Sequence, residues 1–289
     1  MATGLLVLTT AIWGFTFVTN QHLLASLSVI DIMAWRFGLA AVILIALRPN
    51  ALLTIPHAML GKGIILGAFL SLGYITQLTG LRTTTATASG FITGLFVIFA
   101  PLLSSLLSRQ WVNLRSWIAV GFTTIGLALL ALHGWQIGTG DLWTLACAFI
   151  FACHIVGLAI WSKSEHAYAL TTLQIAVVAI SSFAISFSTG GPEMPPTANH
   201  WWDLLFLALF ATCLGFFAQT WSQSKMTATR AGIILTLEPV FSGIAGVTIG
   251  TDHITSRMMF GAAFILIAMY LVTLDHSAEK SLTVPRLEQ

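Results

Sequence analysis

The sequence predicts an all-α integral membrane protein, with ten transmembrane helices arranged as two inverted-topology five-helix repeats. Three observations predict it. First, 57% of the 289 residues are hydrophobic and only 8% are charged, whereas soluble domains carry roughly 25% charged residues. A soluble surface cannot be built from so few charges. Second, apolar runs of about the length that crosses a hydrocarbon core recur along the whole chain. Third, the chain repeats itself. TATASGFI at Thr85–Ile92 and TATRAGII at Thr227–Ile234 share five of eight positions at an offset of 142 residues, and the same offset pairs Arg115 with Arg257. Self-similarity at half the chain length marks a duplication.

The ten runs fall at 3–20, 30–47, 60–80, 88–108, 114–132, 142–162, 169–188, 202–222, 231–250 and 257–274. The first has neither a basic lead nor a small-residue cleavage site, so it reads as a retained helix rather than a signal peptide. The seventh is the richest in Ser and Thr. The fourth and ninth each contain a proline, Pro101 and Pro239. Five helices per half is an odd number, so the second half enters the bilayer upside down. This divides the chain into a first repeat at 1–136, a second, inverted repeat at 140–276, and a cytoplasmic tail at 277–289.

Orientation follows from the basic residues in the joints. With the N-terminus inside, the cytoplasmic joints and tail hold Arg48, Lys62, Arg109, Arg115, Lys163, Lys225, Arg230, Lys280 and Arg286, and the outer joints hold Arg82 and Arg257. The expectation is a multi-pass plasma (inner) membrane protein with both termini cytoplasmic. Trp111, Trp117, Trp135, Trp143, Trp201 and Trp202 lie near run ends, where an indole sits well at the interface. Cys147, Cys153 and Cys213 all fall in apolar runs and read as packing residues rather than disulfides or ligands.

Enzyme signatures are absent from the sequence: no His-Glu-x-x-His, no Gly-x-Ser-x-Gly and no Gly-x-x-x-x-Gly-Lys. No loop is long enough for a catalytic or nucleic-acid-binding domain. The expected partners are a small-molecule substrate and the lipid bilayer, with no cofactor, no metal and no nucleic acid, in a monomer or weak homodimer. Inverted repeats characterise secondary transporters, whose site lies between the halves. A membrane enzyme and a channel remain the alternatives to transport.

Polar faces locate the candidate site, because lipid offers polar groups no partners. Thr9, Trp13, Thr16 and Asn20 share one helical face, as do Ser71, Tyr74 and Gln77, then Thr212, Gln219 and Gln223, and finally His154 and Trp161. The candidate substrate-binding residues are Trp13, Thr16, Tyr74, Gln77, His154, Trp161, Gln219 and Glu238. Thr and Ser also bond back to their own helix, and Gln77 and Gln219 serve equally as glue between helices. Asn20 and Gln223, nearer the run ends, read as wetted. Glu238 is the sharpest feature, since a charge within the bilayer must be paired, wetted or protonated. Pro239 beside it frees a carbonyl and breaks the helix. Two readings stand for Glu238: part of the transport path, or a structural ion pair with Arg36 or Lys225. Arg36 itself is expected to snorkel outward or to pair with Asp31. Gly63/Gly67, Gly90/Gly94 and Gly246/Gly250 are expected to allow close helix approach.

Five segments carry a family resemblance: AIWGFTFV at Ala11–Val18, WRFGLAAVIL at Trp35–Leu44, TTTATASGFITGLFVIFAPLLSSLL at Thr83–Leu107, GDLWTLACAFIFACHIV at Gly140–Val156, and TRAGIILTLEPVFSGIAG at Thr229–Gly246. In order and spacing the chain resembles EamA-type transporters of the drug/metabolite transporter (DMT) superfamily, over about 270 residues. The resemblance implies ten helices, cytoplasmic termini, and export or facilitated passage of small metabolites, with YddG-type amino acid exporters as the nearest functional picture. One departure stands out. The family's Gly-Glu after the fourth and ninth helices is replaced by Ser108-Arg109 and Thr251-Asp252. Amino acids, aromatic ones included, lead as substrates because Trp13, Tyr74 and Trp161 suit flat side chains. Drug-like cations and nucleotide-linked or sugar compounds are the alternative classes. A pyrophosphate would want a basic site, for which only Arg36 is available.

Overall fold

The computed structural model describes residues 1–84, 86–108, 114–131, 138–249 and 255–273. Within them the chain is helical, with no strand. The helices are α1 (Ala2–Leu24), α2 (Val29–Leu47), α3 (His57–Leu81), α4 (Ala86–Thr93), α5 (Phe96–Ser108), α6 (Leu114–Ala131), α7 (Thr139–Trp161), α8 (Ala167–Ser188), α9 (Ala198–Phe206), α10 (Gly215–Gln223), α11 (Ala228–Leu235), α12 (Leu237–Thr248) and α13 (Ser256–Thr273). Among the described residues, seven helical stretches are long and apolar enough to cross a membrane, and Phe96–Leu107 and Met259–Leu271 are shorter apolar ones. The outside of the bundle is apolar too. Val42, Leu72, Leu106, Ile180 and Phe260 are exposed, a surface suited to lipid rather than water.

Three predicted runs are not single helices. The fourth splits into α4 and α5 at Gly94–Leu95, where Leu95, Val97 and Ile98 donate to carbonyls only three residues back. Pro101 lies inside α5 rather than at this break. The ninth splits into α11 and α12 at Thr236, four residues after Gly232, whose carbonyl it still reaches. Pro239 has no N–H to bond the Leu235 carbonyl, and Thr236 Oγ1 turns back to Ile233 O at 2.6 Å. The break positions Gly94 and Thr236 are 142 apart. The eighth run carries a π-helical segment, Leu207–Leu214, between α9 and α10. Its extra residue per turn re-aims the side chains that follow.

Helix starts are set by local chemistry. Ser28 caps α2 by accepting from Asp31 N at 3.1 Å, and Thr227 caps α11 by accepting from Arg230 N at 3.2 Å. Asp141 ties the facing ends of α3 and α7, accepting from Gly138 N at 2.9 Å and Thr84 Oγ1 at 2.8 Å.

The largest packing surfaces are α3 on α7, α6 on α13, α2 on α8, α1 on α12 and α3 on α8. Each joins an element before residue 136 to one after it. Small residues make this closeness possible. Gly63 and Gly67 seat against Leu170, Leu173 and Val177 of α8, and Gly90 against Ser242 of α12. Gly80 of α3 and Gly140 of α7 face each other's backbone carbonyl, so neither has room for a methyl. The Gly246/Gly250 pair has one member, Gly250, outside the described residues, as are Trp111, Trp135, Arg109, Thr251-Asp252 and the tail.

Candidate functional site

A central cavity of about 40 Å³ lies among α1, α3, α5, α7, α10 and the α11–α12 break. That is space for roughly three water molecules. Seven of the eight sequence candidates line it: Trp13, Thr16, Tyr74, Gln77, His154, Gln219 and Glu238. The remaining wall is apolar and includes Leu70, Phe96, Phe151 and Phe216. Trp161 is a correction. It is the last residue of α7 and packs with Leu66, Leu158 and Leu170 in a separate cluster. It shares a helix face with His154, but seven residues carry it about 10 Å further along the axis, past the end of the cavity.

The wall has an internal order. Trp13 and Ile155, Tyr74 and Phe216, Gln77 and Gln219, and Phe96 and Glu238 all line the cavity, and each pair is separated by 142 residues. Phe96 and Phe216 were not candidates by residue type; their position at this offset from Glu238 and Tyr74 is the signal that finds them.

Several polar groups are already satisfied. Trp13 Nε1 donates to Ala211 O in the π-helical segment at 2.8 Å. Thr16 Oγ1 donates to Trp13 O at 2.7 Å and Thr9 Oγ1 to Leu5 O at 3.0 Å, both on their own helix. Ser71 bonds Ser181 of α8 at 3.0 Å, away from the cavity. Gln77 Nε2 donates to Thr93 Oγ1 at 3.4 Å. Gln174 Nε2 donates to Leu170 O, which turns its Oε1 toward His154 Nε2 at 2.7 Å. His154 must then carry its proton on Nε2, and Nδ1 is left as an acceptor. Asn20 and Gln223 are buried rather than wetted, 3% and 1% exposed, because the helices converge there; Gln223 Nε2 donates to Ile155 O at 3.2 Å.

Two groups on the cavity wall are not satisfied. Gln219 Oε1 is buried with no partner. Gln77, 142 residues earlier, reaches Thr93, but the residue 142 after Thr93 is Leu235, which offers nothing. Glu238, 8% exposed, takes no hydrogen bond from the described residues and has no described cation within ion-pair distance. The structural ion pair with Arg36 or Lys225 is therefore absent. Lys225 lies over the Trp221 ring instead.

Arg36 overturns its expectation most clearly. It is 1% exposed, and its Nε donates to Thr212 Oγ1 at 2.8 Å and its Nη2 to Tyr74 Oη at 3.1 Å. The guanidinium stacks over the Tyr74 ring, 4.7 Å from its centroid. Asp31 does not pair with it; that carboxylate accepts from Ser28 and Ser186 instead, each at 2.7 Å. The π-helical segment aims Thr212 at Arg36 instead of at the cavity, which removes Thr212 from the stripe with Gln219. Arg36 lies within electrostatic reach of both Tyr74 and Glu238.

Residues 1–132 and 138–274 match the EamA-like transporter family. The chain belongs to this family. Among its relatives, a protein of Archaeoglobus fulgidus named an uncharacterized transporter is 31% identical over 272 residues, covering 93% of this chain and 84% of its own. The uncharacterized transporter YyaM of Bacillus subtilis is 23% identical over 277 residues, covering 89% and 88%. A WAT1-related chloroplastic protein of Arabidopsis thaliana is 22% identical over 281 residues, covering 90% of this chain and 66% of its own. One solved crystal structure superposes with a TM-score of 0.75 at 16% identity, covering 96% of this chain and 98% of that one; it speaks for the fold alone. As an EamA-like protein, the chain is a membrane transporter of small molecules and not an enzyme.

Proposed function

We propose that this EamA-like protein carries amino acids, aromatic ones among them, by alternating access at the central cavity between two inverted five-helix repeats. Ten spans and cytoplasmic termini in the plasma (inner) membrane complete the reading. The observation that carries it is the set of four cavity-lining pairs 142 residues apart, as expected of a site on a pseudo-twofold axis. The packing supports it as well: α2 meets α8 and α6 meets α13, each helix on its own counterpart. The small volume fits a closed conformation, in which the halves must part to admit a metabolite. Trp13, Tyr74, Phe96, Phe151 and Phe216 form a wall suited to flat side chains.

The decisive experiment is a counterflow screen of amino acids in proteoliposomes. Exchange of phenylalanine, tyrosine or leucine above empty vesicles supports the reading, and exchange of none of the amino acids overturns it. Two predictions follow from the lining. In a background without Cys147, Cys153 and Cys213, cysteine at Thr16 or Gln219 should react with a water-soluble thiol reagent during turnover. Cysteine at lipid-facing Leu72 should stay inert. If Thr16 and Gln219 behave like Leu72, the cavity does not open to water. Trp13→Ala should lower exchange of aromatic amino acids several-fold more than that of alanine. Equal losses for both would show that the indole only braces Ala211 and Phe216.

A further inference from the structure

The departures from repeat symmetry are concentrated among polar groups. Arg36 has Val178 as its counterpart 142 residues on, Tyr74 has Phe216, and Thr212 stands opposite Leu70. On the other side Glu238 faces Phe96 as its counterpart, and Leu235 replaces Thr93, which strands Gln219. Around the cavity an apolar frame that is close to symmetric thus carries one guanidinium from its first half and one carboxyl group from its second. The two are within electrostatic reach but do not pair, as no ion pair joins them. Each is also under-bonded: Arg36 Nη1 has no partner, and no described residue bonds Glu238. Buried charges kept apart and under-bonded are costly unless something else completes them.

We infer that Arg36 with Tyr74 and Glu238 with Gln219 are the two poles of a binding site for a zwitterion, an α-amino acid whose carboxylate and ammonium bridge them. Arg36 Nη2 donates to Tyr74 Oη, so the phenolic proton is free and points its donor strength at an incoming carboxylate. Tyr74 lines the cavity and Arg36 does not; the arginine acts through the tyrosine as a positioning residue. At the other pole the ammonium supplies the donors that Glu238 and Gln219 Oε1 lack, and His154 Nδ1 is a third acceptor on the same cavity. A net-neutral dipolar ligand leaves the buried site neutral, whereas a ligand with one charge leaves one pole bare. This assignment rests on the amino acid reading above and adds how the backbone of the substrate is recognised.

Two ligand series test it on purified full-length protein in nanodiscs, by equilibrium binding: phenylalanine, 2-phenylethylamine and 3-phenylpropionate, then leucine, isoamylamine and 4-methylvalerate. In wild type the amino acid should bind at least about tenfold tighter than either one-charge analogue, the size expected for a charge-assisted bond. Tyr74→Phe should bring the amino acid down to the level of its amine, leaving the amine unchanged. Glu238→Gln should bring it down to the level of its acid, leaving the acid unchanged. The wild-type comparison stands even if a variant fails to fold. Equal binding of amino acid and amine, or variants that weaken all three probes by one factor, overturns the two-pole site. If phenylalanine or leucine still exchanges in counterflow in that case, transport stands and only this assignment falls; no binding and no exchange overturns both.

Discussion

Gly14→Val is expected to remove most folded protein, lowering the melting temperature by on the order of 10 °C in detergent. A Cβ at Gly14 would sit 2.5 Å from Phe241 Cβ, 2.7 Å from Ser242 N and 2.8 Å from Phe241 C. Two of these are backbone atoms of α12, which cannot swing aside as a side chain can. The α1–α12 surface would have to open, and it is the surface that holds Trp13 and Thr16 beside Glu238. Overpacking costs about 1–3 kcal/mol and more where backbone must move. Gly4→Val and Gly61→Val are the controls, since a Cβ at either meets nothing within 4 Å. Those two should melt like wild type. A Gly14→Val protein that also does so would mean that α1 and α12 do not pack this closely.

Glu238→Gln is expected to keep the fold and lose at least tenfold in transport rate. Were Glu238 half of a buried salt bridge, removing its charge would strand a cation and cost about 3–5 kcal/mol. Among the described residues no cation stands within ion-pair distance and none donates to it. Its neutral isostere should therefore melt within a few degrees of wild type, while the ammonium of the proposed amino acid substrate loses its counter-charge. Thermal melting and counterflow on the same preparation separate the outcomes. A collapse in melting temperature would restore the structural ion pair. A stable protein with wild-type rates would leave the glutamate without a part in transport.

The membrane character, the helical class, the stripes that hold six of the cavity residues and the lone Glu238 were legible in the sequence, for physical reasons. Charge depletion and run length answer directly to the hydrocarbon solvent, and a polar face on an apolar helix has to turn inward whatever the fold. The 142-residue offset was equally legible, and it points to Phe96 and Phe216 once Glu238 and Tyr74 are placed. Trp161 shows where this reasoning fails. Helical periodicity gives the direction of a side chain around the axis, not its depth along it, so a residue on the right face can lie beyond the end of the cavity.

Only the tertiary structure decided the partners of the charges. From the sequence, Arg36 near a helix end looks like a snorkelling residue, because local context contains Asp31 and the interface. In three dimensions Asp31 accepts from Ser28 and Ser186, and a π-helical segment some 170 residues further along the chain delivers Thr212 to Arg36 Nε. That segment has no clear sequence signature, since it is one extra residue accommodated in an ordinary apolar run. The same holds for Gln219, whose orphaned oxygen is visible only against Gln77 and Thr93. Solvent sets which segments enter the membrane and can be read residue by residue. Which buried polar groups meet is set by the docking of distant helices, and no local pattern encodes it.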